Sequence, residues 1–216
     1  KNLNSLIDDK SINGSLNFYS TGTNKLSNTN NLRTTIVNDF SYSSNNFVTK
    51  LGFKNNFDLY FKNLNAVGKN DTIYTSDTQI DGMSIFKIDS SFPLLKSNNV
   101  TKETLTPKIS LRVNPGNNMD NYSSRSANIN ANNVFNVNRL GISNDFEAGR
   151  SLTFGLDYKF DQLEKNQTKD SKDKYLELKF ATVIRDQSEN DIPISSTINK
   201  KNSDLFGSVN YHLLDN

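Results

Sequence analysis

The chain has 216 residues, a net charge of +2 and no cysteine, which excludes disulfides and thiolate metal sites and gives no electrostatic support for nucleic-acid binding. Its mean hydropathy of −0.65 is low for a packed soluble core of this size, and no apolar run approaches the roughly 18 residues of a membrane-spanning helix. These features allow a transmembrane β-barrel, whose strands need only alternate apolar and polar residues.

The first part of the chain predicts strands separated by polar connections. Residues 12–20 predict a weak strand, and the turn-forming residues 21–31 predict a loop. Residues 32–42 alternate clearly, and a tight connection at 43–46 leads into the longest pattern, 47–61. This last strand exceeds the about 9–11 residues that cross a bilayer obliquely, so we expect its end to project beyond the membrane.

The middle of the chain is less regular. A long loop is predicted over 63–79, and the strand at 80–92 has no assigned facing because it contains consecutive apolar residues. The next predicted strand, 105–113, contains Pro107. Because proline cannot donate to the hydrogen-bond ladder, this residue argues against a central position in the sheet.

The last part of the chain returns to regular alternation. An Asn-rich excursion ends at about residue 133, and a strand follows at 150–160. A charged loop is predicted over 161–174, a strand over 175–185 and a last strand over 205–213. About eight strands are predicted in all, and no segment shows the 3.6-residue period of a helix.

The alternation divides these strands into two faces, because successive side chains of a strand point to opposite sides. The polar residues that we predict to face a lumen are Arg33, Asp39, Lys50, Lys54, Asp58, Lys62 and Arg112. The apolar residues that we predict to face lipid are Phe47, Leu51, Phe53, Phe57, Leu59, Leu152, Phe154, Leu156, Tyr158, Leu176, Leu178 and Phe180.

Two β architectures fit this alternation. In a soluble sandwich each strand buries one face against a second sheet, whereas in an outer-membrane barrel the apolar face meets lipid and the polar face lines a lumen. Sandwich strands run about 5–6 residues, and the patterns at 32–42, 47–61, 150–160 and 175–185 are longer. We therefore predict an all-β fold, an antiparallel transmembrane β-barrel wall containing about eight strands of a larger barrel.

Residues 134–160 resemble the C-terminal outer-membrane barrel domain of the LptD family of lipopolysaccharide-assembly proteins. The resemblance rests on an aromatic-x-x-x-Arg element, two acidic residues and spaced glycines, and it is best from about residue 105 to residue 213. The chain departs from the family at Phe146, where an arginine is frequent. The matching positions are Phe135, Arg139, Gly141, Asp145, Glu147, Gly149, Gly155 and Tyr158, with Pro107, Arg112 and Pro115 before them and Ser203, Asp204, Gly207 and Tyr211 after them.

The resemblance implies a transport function at the bacterial outer membrane, with no cofactor. LptD proteins, with the plug lipoprotein LptE, take lipopolysaccharide from a periplasmic bridge to the outer leaflet. The saccharide passes through a polar lumen, and lipid A leaves through a gap between the first and last strands. The implied partners of this chain are lipopolysaccharide, membrane lipid, an LptE-like lipoprotein and the periplasmic Lpt bridge.

We expect the chain to be one part of a longer protein of this kind. It opens with Lys1 and shows no signal-peptide pattern. We expect residues 1–216 to form part of one outer-membrane barrel domain, without the N-terminal jelly-roll that receives lipid A and without the closing strands.

Each candidate site has a plainer alternative. Four cations of the predicted lumen face, Arg33, Lys50, Lys54 and Lys62, either line the path of an anionic saccharide or belong to a solvated strand face. Arg139, Asp145 and Glu147 either form a luminal ion-pair cluster that holds an inward loop or belong to a surface loop with screened pairs.

An enzyme is the least favoured class. The single histidine, His212, has sequence neighbours that offer neither a base nor a nucleophile, so we predict no catalytic or metal-binding residue. The alternative to lipopolysaccharide transport is a porin-like or other outer-membrane barrel, or a surface β-binding protein, that does not transport lipopolysaccharide.

Overall fold

Strands paired in antiparallel fashion make up most of the protein. The computed structural model describes residues 13–116, 122–142, 147–162 and 174–212. No helix in these ranges is long and apolar enough to cross a membrane. The strands are β1 (Gly14–Ser27), β2 (Asn31–Ser44), β3 (Phe47–Val48), β4 (Lys54–Lys69), β5 (Gln79–Ser91), β6 (Leu94–Ser97), β7 (Thr101–Asn114), β8 (Gly149–Gln162), β9 (Lys174–Arg185) and β10 (Phe206–His212).

The ten strands form one sheet in which neighbours along the chain are also neighbours in space. The order is β1-β2-β4-β5-β7-β8-β9-β10. The short β3 continues β2 and pairs with β4, and the short β6 continues β5 and pairs with β7. Within the described residues β1 and β10 do not pair with each other, so the sheet is open. The predicted all-β antiparallel fold is confirmed.

One face of the sheet carries rows of large apolar side chains, and we call it the apolar face. Strand pairing places Ile88, Leu111, Leu152 and Ile184 side by side in one such row. Leu111, with a strand on each side, is still 39% exposed. A sandwich would require a second sheet on this face, and the described residues contain only one sheet.

The opposite side of the sheet, which we call the polar face, is covered over β8 and β9. The cover consists of residues 122–142 and 186–205, which we call the covering layer. Two backbone hydrogen bonds join its halves, from Tyr122 N to Asp191 O (2.8 Å) and from Ile194 N to Ser123 O (3.2 Å). Its apolar side chains and three sheet residues form the buried core, which comprises Tyr122, Ala127, Ile129, Ala131, Val134, Leu140, Ile142, Ala181, Val183, Ile192, Ile198 and Phe206.

The two ends of the sheet carry connections of different length. At one end the turns 49–53 and 98–100 are short, and the third connection, 163–173, lies outside the described residues. The other end has a tight turn between β1 and β2, the loop 70–78 and the two long connections that supply the covering layer. We call these the short-turn end and the long-loop end.

The single strand predicted over 47–61 is wrong. The chain turns at 49–53, where Gly52 has a φ of 88°, a backbone conformation that glycine adopts without strain. Phe47 pairs with Asn55, so the odd-numbered residues lie on the same face of the sheet before and after the reversal. Alternation alone therefore could not reveal this turn.

This turn changes the position of three residues predicted to lie on strand faces. Lys50 and Leu51 lie in the turn and belong to neither face of a strand. Phe53 precedes β4, and its ring packs against that of Phe92 with centroids 4.9 Å apart. Phe47 shares the apolar face with Asn55.

Other boundaries also differ from the prediction. The loop predicted over 63–79 is wrong for its first seven residues, because β4 pairs with β2 as far as Lys69. The loop predicted over 21–31 is wrong for its first seven residues, because β1 pairs with β2 in continuous register as far as Ser27. The last strand begins at Phe206, so Leu205 precedes it, and Leu213 lies outside the described residues.

Pro107 lies in a central strand, contrary to the prediction. Its carbonyl accepts a hydrogen bond from Phe92 N (3.0 Å), at the break between β5 and β6. Since the N–H and C=O of one residue point to the same neighbour in an antiparallel pair, the missing N–H of Pro107 falls at this break. The undecided facing of 80–92 is also resolved, because Ile85 is buried on the polar face and Phe86 lies on the apolar face.

The prediction that lipid covers the apolar face can be tested by placing a charge there. In the complete protein in phospholipid bilayers, Leu156→Arg should lower the free energy of unfolding by about 2–4 kcal/mol, because hydrocarbon cannot solvate a guanidinium. The matched change Thr106→Arg, on the polar face beside Asp157, should alter it by about 0.5 kcal/mol or less. Equal losses for the two variants would contradict a lipid-covered apolar face.

Candidate functional site

Strand pairing assembles a row of charged and hydroxyl side chains on the polar face. Lys87 of β5, Arg112 of β7, Ser151 of β8 and Arg185 of β9 lie directly opposite one another in turn. Residues far apart in the sequence are therefore neighbours, because the antiparallel register places their side chains on one face.

Glu147 reaches this row from the connection that precedes β8. The chain enters β8 at Gly149, whose φ of 80° lies in the left-handed region that favours glycine. A side chain at Gly149 would also collide with the carboxylate of Glu189. Glycine at this position therefore lets the backbone turn so that Glu147 faces the sheet.

Three guanidinium groups surround the Glu147 carboxylate. Arg139 binds it in bidentate fashion, with Nε 2.7 Å from Oε2 and Nη2 2.5 Å from Oε1. Arg185 donates to Oε1 as well, and Arg112 Nε lies 3.9 Å from Oε2. All four residues are at most 5% exposed. We call this group the guanidinium cluster.

Further hydrogen bonds from Arg139 fix the covering layer to the sheet. Arg139 belongs to the layer, and it donates to Ser151 Oγ (2.9 Å) and Thr153 Oγ1 (3.0 Å) of β8. In the other direction Arg112 of β7 donates to the carbonyl of Val137 in the layer. The cluster thus links the layer with three strands.

Electrostatics keep Glu147 ionised. Its burial would by itself raise the pKa of the carboxyl, but the positive charges of Arg139 and Arg112, the hydrogen bonds from Arg139 and the charge of Arg185 hold that pKa well below its usual value. The described cluster contains three cations and one anion, and the Nε atoms of Arg112 and Arg185 have no hydrogen-bond partner among the described residues. Asp145, predicted to join this cluster, lies outside the described residues.

Most other cations of the polar face are paired with carboxylates. Lys62 lies 2.5 Å from Asp39, and Arg33 Nε lies 2.8 Å from Asp71. Sequence reasoning missed the carboxylate partners Asp71, Asp89 and Asp157, because the strand register and the loop fold determine which charges meet. Further pairs on this face are Lys87 with Asp58 and Asp89, Lys108 with Asp157, Lys159 with Asp161, and Lys179 with Glu177.

Asp71 organises the loop 70–78 at the long-loop end. Besides the two bonds from Arg33, its carboxylate accepts hydrogen bonds from the backbone N–H groups of Ile73 (2.8 Å) and Tyr74 (3.1 Å). The hydrogen bond from Arg33, followed by the backbone bonds, lowers the pKa of Asp71 to about 2. Arg33 is therefore bound to Asp71 and helps to fix the fold of this loop.

The predicted site residues fall on the two faces as follows. Arg33, Asp39, Lys54, Asp58, Lys62 and Arg112 lie on the polar face. Phe57, Leu59, Leu152, Phe154, Leu156, Tyr158, Leu176, Leu178 and Phe180 lie on the apolar face, as Phe47 does.

The charged groups of the polar face hold the covering layer and the loop 70–78 against the sheet. The described residues contain no group of three His, Cys, Asp or Glu side chains that could bind a metal ion. His212 stacks on Tyr175 with ring centroids 5.9 Å apart. The guanidinium cluster joins the sheet to the covering layer, and we call this connection the latch.

The latch can be tested by removing its one described anion. Glu147→Gln should lower the free energy for local opening of residues 134–142 by about 3–5 kcal/mol, because three buried guanidiniums lose their counter-charge. Backbone hydrogen exchange of this segment would measure the change. The exposed pair Arg150–Asp186, 3.7 Å apart, gives the control Asp186→Asn, for which we expect about 1 kcal/mol or less.

The same hydrogen-exchange measurement can be made as a function of pH. Because the pKa of Glu147 is lowered in the folded protein, its contribution to stability is complete above the unfolded-state pKa of about 4.3 and declines as the pH falls further. Protection of residues 134–142, corrected for intrinsic exchange, should therefore decrease below this pH in the native protein more than in Glu147→Gln. If residues 134–142 of Glu147→Gln were as well protected from hydrogen exchange at neutral pH as those of the native protein, the latch would be wrong.

Comparison with known proteins identifies a family. A family model described as "LptD: LPS transport system D" matches residues 3–216. No curated protein and no solved structure matches the chain.

Proposed function

The chain belongs to the LptD family, which acts in lipopolysaccharide transport and assembly at the outer membrane, and we propose that its sheet is part of the wall of a transport barrel. The family is one of transport and assembly proteins rather than enzymes.

The observation that carries the proposal is the contrast between the two faces of one sheet. Ile184 and Phe180 of the apolar face are each 43% exposed although they lie within a strand, while the polar face carries ion pairs and the guanidinium cluster. Outer-membrane barrels place the first kind of face against lipid and the second around a lumen. Seven of the strands contain 12–16 residues, enough to cross a bilayer obliquely.

The polar face suits the passage of a hydrated, anionic saccharide. Most of its cations have a carboxylate beside them, so an anionic group meets positive charge whose attraction is already partly neutralised. Passage requires sites that bind well enough to admit the ligand and weakly enough to release it. A mosaic of paired charges, amides and hydroxyls satisfies both requirements.

The lengths of the connections suggest an orientation. Outer-membrane barrels have short turns in the periplasm and longer loops outside the cell. The short-turn end would then face the periplasm, and the covering layer would descend into the lumen from the external side. Saccharide arriving from the periplasm would meet the uncovered polar rows first.

Further partners follow from the same proposal. The edges of β1 and β10 that are unpaired in the described residues would join other strands of a larger barrel domain that includes residues 1–216. Lipid A would leave between that barrel's first and last strands. An LptE-like lipoprotein would occupy its lumen, and an N-terminal jelly-roll domain would connect it to the periplasmic Lpt bridge.

Depletion of the protein in its own cells tests this function. The fraction of newly labelled lipopolysaccharide that a membrane-impermeant reagent reaches should fall, and the native gene should restore it. Unchanged arrival of lipopolysaccharide, together with slower uptake of small hydrophilic solutes, would contradict the proposal and support the porin-like alternative.

A further inference from the structure

A cleft opens on the polar face beside the covering layer. It lies between the start of β4, the end of β5 and the middle of β7. Its position is on the short-turn side of the guanidinium cluster, because Lys108 precedes Arg112 by two steps along the polar face of β7, with Ser110 between them. The side chains that line it include Lys54, Asn56, Asp89, Ser91, Lys108 and Phe135.

Phe135 is fixed in this cleft by the sheet beneath it. Its ring lies over Gly155 of β8, where a Cβ atom would be 2.6 Å from Phe135 Cζ. Lys108 Nζ lies 5.7 Å from the ring centroid, within the range of a cation–π contact. The ring packs against the buried core of the covering layer, yet it also lines the cleft. It is therefore a preformed aromatic wall.

The polar groups around the ring match the chemistry of a sugar. An aromatic ring can stack on the C–H face of a pyranose, while carboxylate, amide and hydroxyl groups of Asp89, Asn56 and Ser91 can exchange hydrogen bonds with its hydroxyls. Ligand sites in general combine apolar walls with a few placed polar groups. A bare inorganic anion would make no use of the ring.

The cations of the cleft add a preference for acidic sugars. Lys54 is exposed and forms no ion pair within the described residues. Lys108 is paired with Asp157, so its charge is partly neutralised. One available ammonium beside a neutralised one favours a phosphate or carboxylate substituent without holding it tightly.

We propose that this cleft is a binding subsite for the acidic saccharide part of lipopolysaccharide, with Phe135 as its stacking wall. This inference rests on the proposed transport function and adds to it a defined contact point. Saccharide entering from the short-turn end reaches the cleft before it reaches the guanidinium cluster, so the subsite would orient the chain at the edge of the covering layer.

Photo-crosslinking in cells that contain the complete protein tests the subsite. A photoreactive residue in place of Asn56 should crosslink to lipopolysaccharide more strongly than one in place of Thr35, which lies on the polar face of β2. Phe135→Leu, which keeps an apolar side chain but removes the ring, should lower the yield at position 56 by about 2- to 10-fold, the factor that corresponds to one aromatic contact. Phe135→Tyr should retain the yield.

Two further arms separate the saccharide subsite from a structural role of Phe135. Lys54→Gln, at an exposed residue, should also lower the yield while the amount of folded protein stays constant. In cells whose glycolipid is truncated to its lipid part, the crosslink at position 56 should disappear. Persistence of the crosslink with truncated glycolipid, or yields insensitive to both Phe135→Leu and Lys54→Gln, would overturn the subsite.

The outcome also distinguishes this inference from the proposed function. If crosslinks form equally along the polar face and depletion still blocks lipopolysaccharide arrival, the subsite is wrong and the transport function stands. If no polar-face position crosslinks and depletion leaves arrival unchanged, both are wrong.

Discussion

The burial of Glu147 under the covering layer is the constraint on which the polar face depends. Removing a carboxylate from water costs several kcal/mol unless charged hydrogen-bond donors replace the water. Here the donors come from separate parts of the chain: Arg112 from β7, Arg185 from β9 and Arg139 from the layer itself. The cluster can therefore form only when the strands are in register and the layer is docked, so it couples the two.

The position of the buried core has a functional consequence. In a sandwich the largest apolar side chains would be buried between two sheets. Here the buried core is built mainly from side chains of the covering layer, whereas Phe154, Leu156 and Phe180 of the apolar face are 39–43% exposed. The proposed wall, with lipid on one side and a filled, polar passage on the other, would have this distribution.

Local alternation predicted much of the sheet but not the contacts that complete it. Strands 32–42, 150–160 and 175–185 were predictable because a face repeats every two residues. The alternation did not reveal the turn at 49–53, because odd-numbered residues lie on the same face before and after it. The length of β1 depends on its pairing with β2 rather than on its own turn-forming residues. The covering layer has no period at all, since its packing comes from contacts between distant segments. Arg139 and Glu147 were identified through resemblance, whereas Arg185 joins them only through strand register.

Whether one sheet separates lipid from an aqueous passage can be tested directly along β8. The sequence contains no cysteine, so single substitutions at consecutive positions from Leu156→Cys to Phe160→Cys introduce one thiol at a time into this part of the protein. In membranes, a water-soluble maleimide should label positions 157 and 159 and leave 156, 158 and 160 unlabelled. Equal labelling of all five positions, or labelling without the two-residue period, would contradict the account.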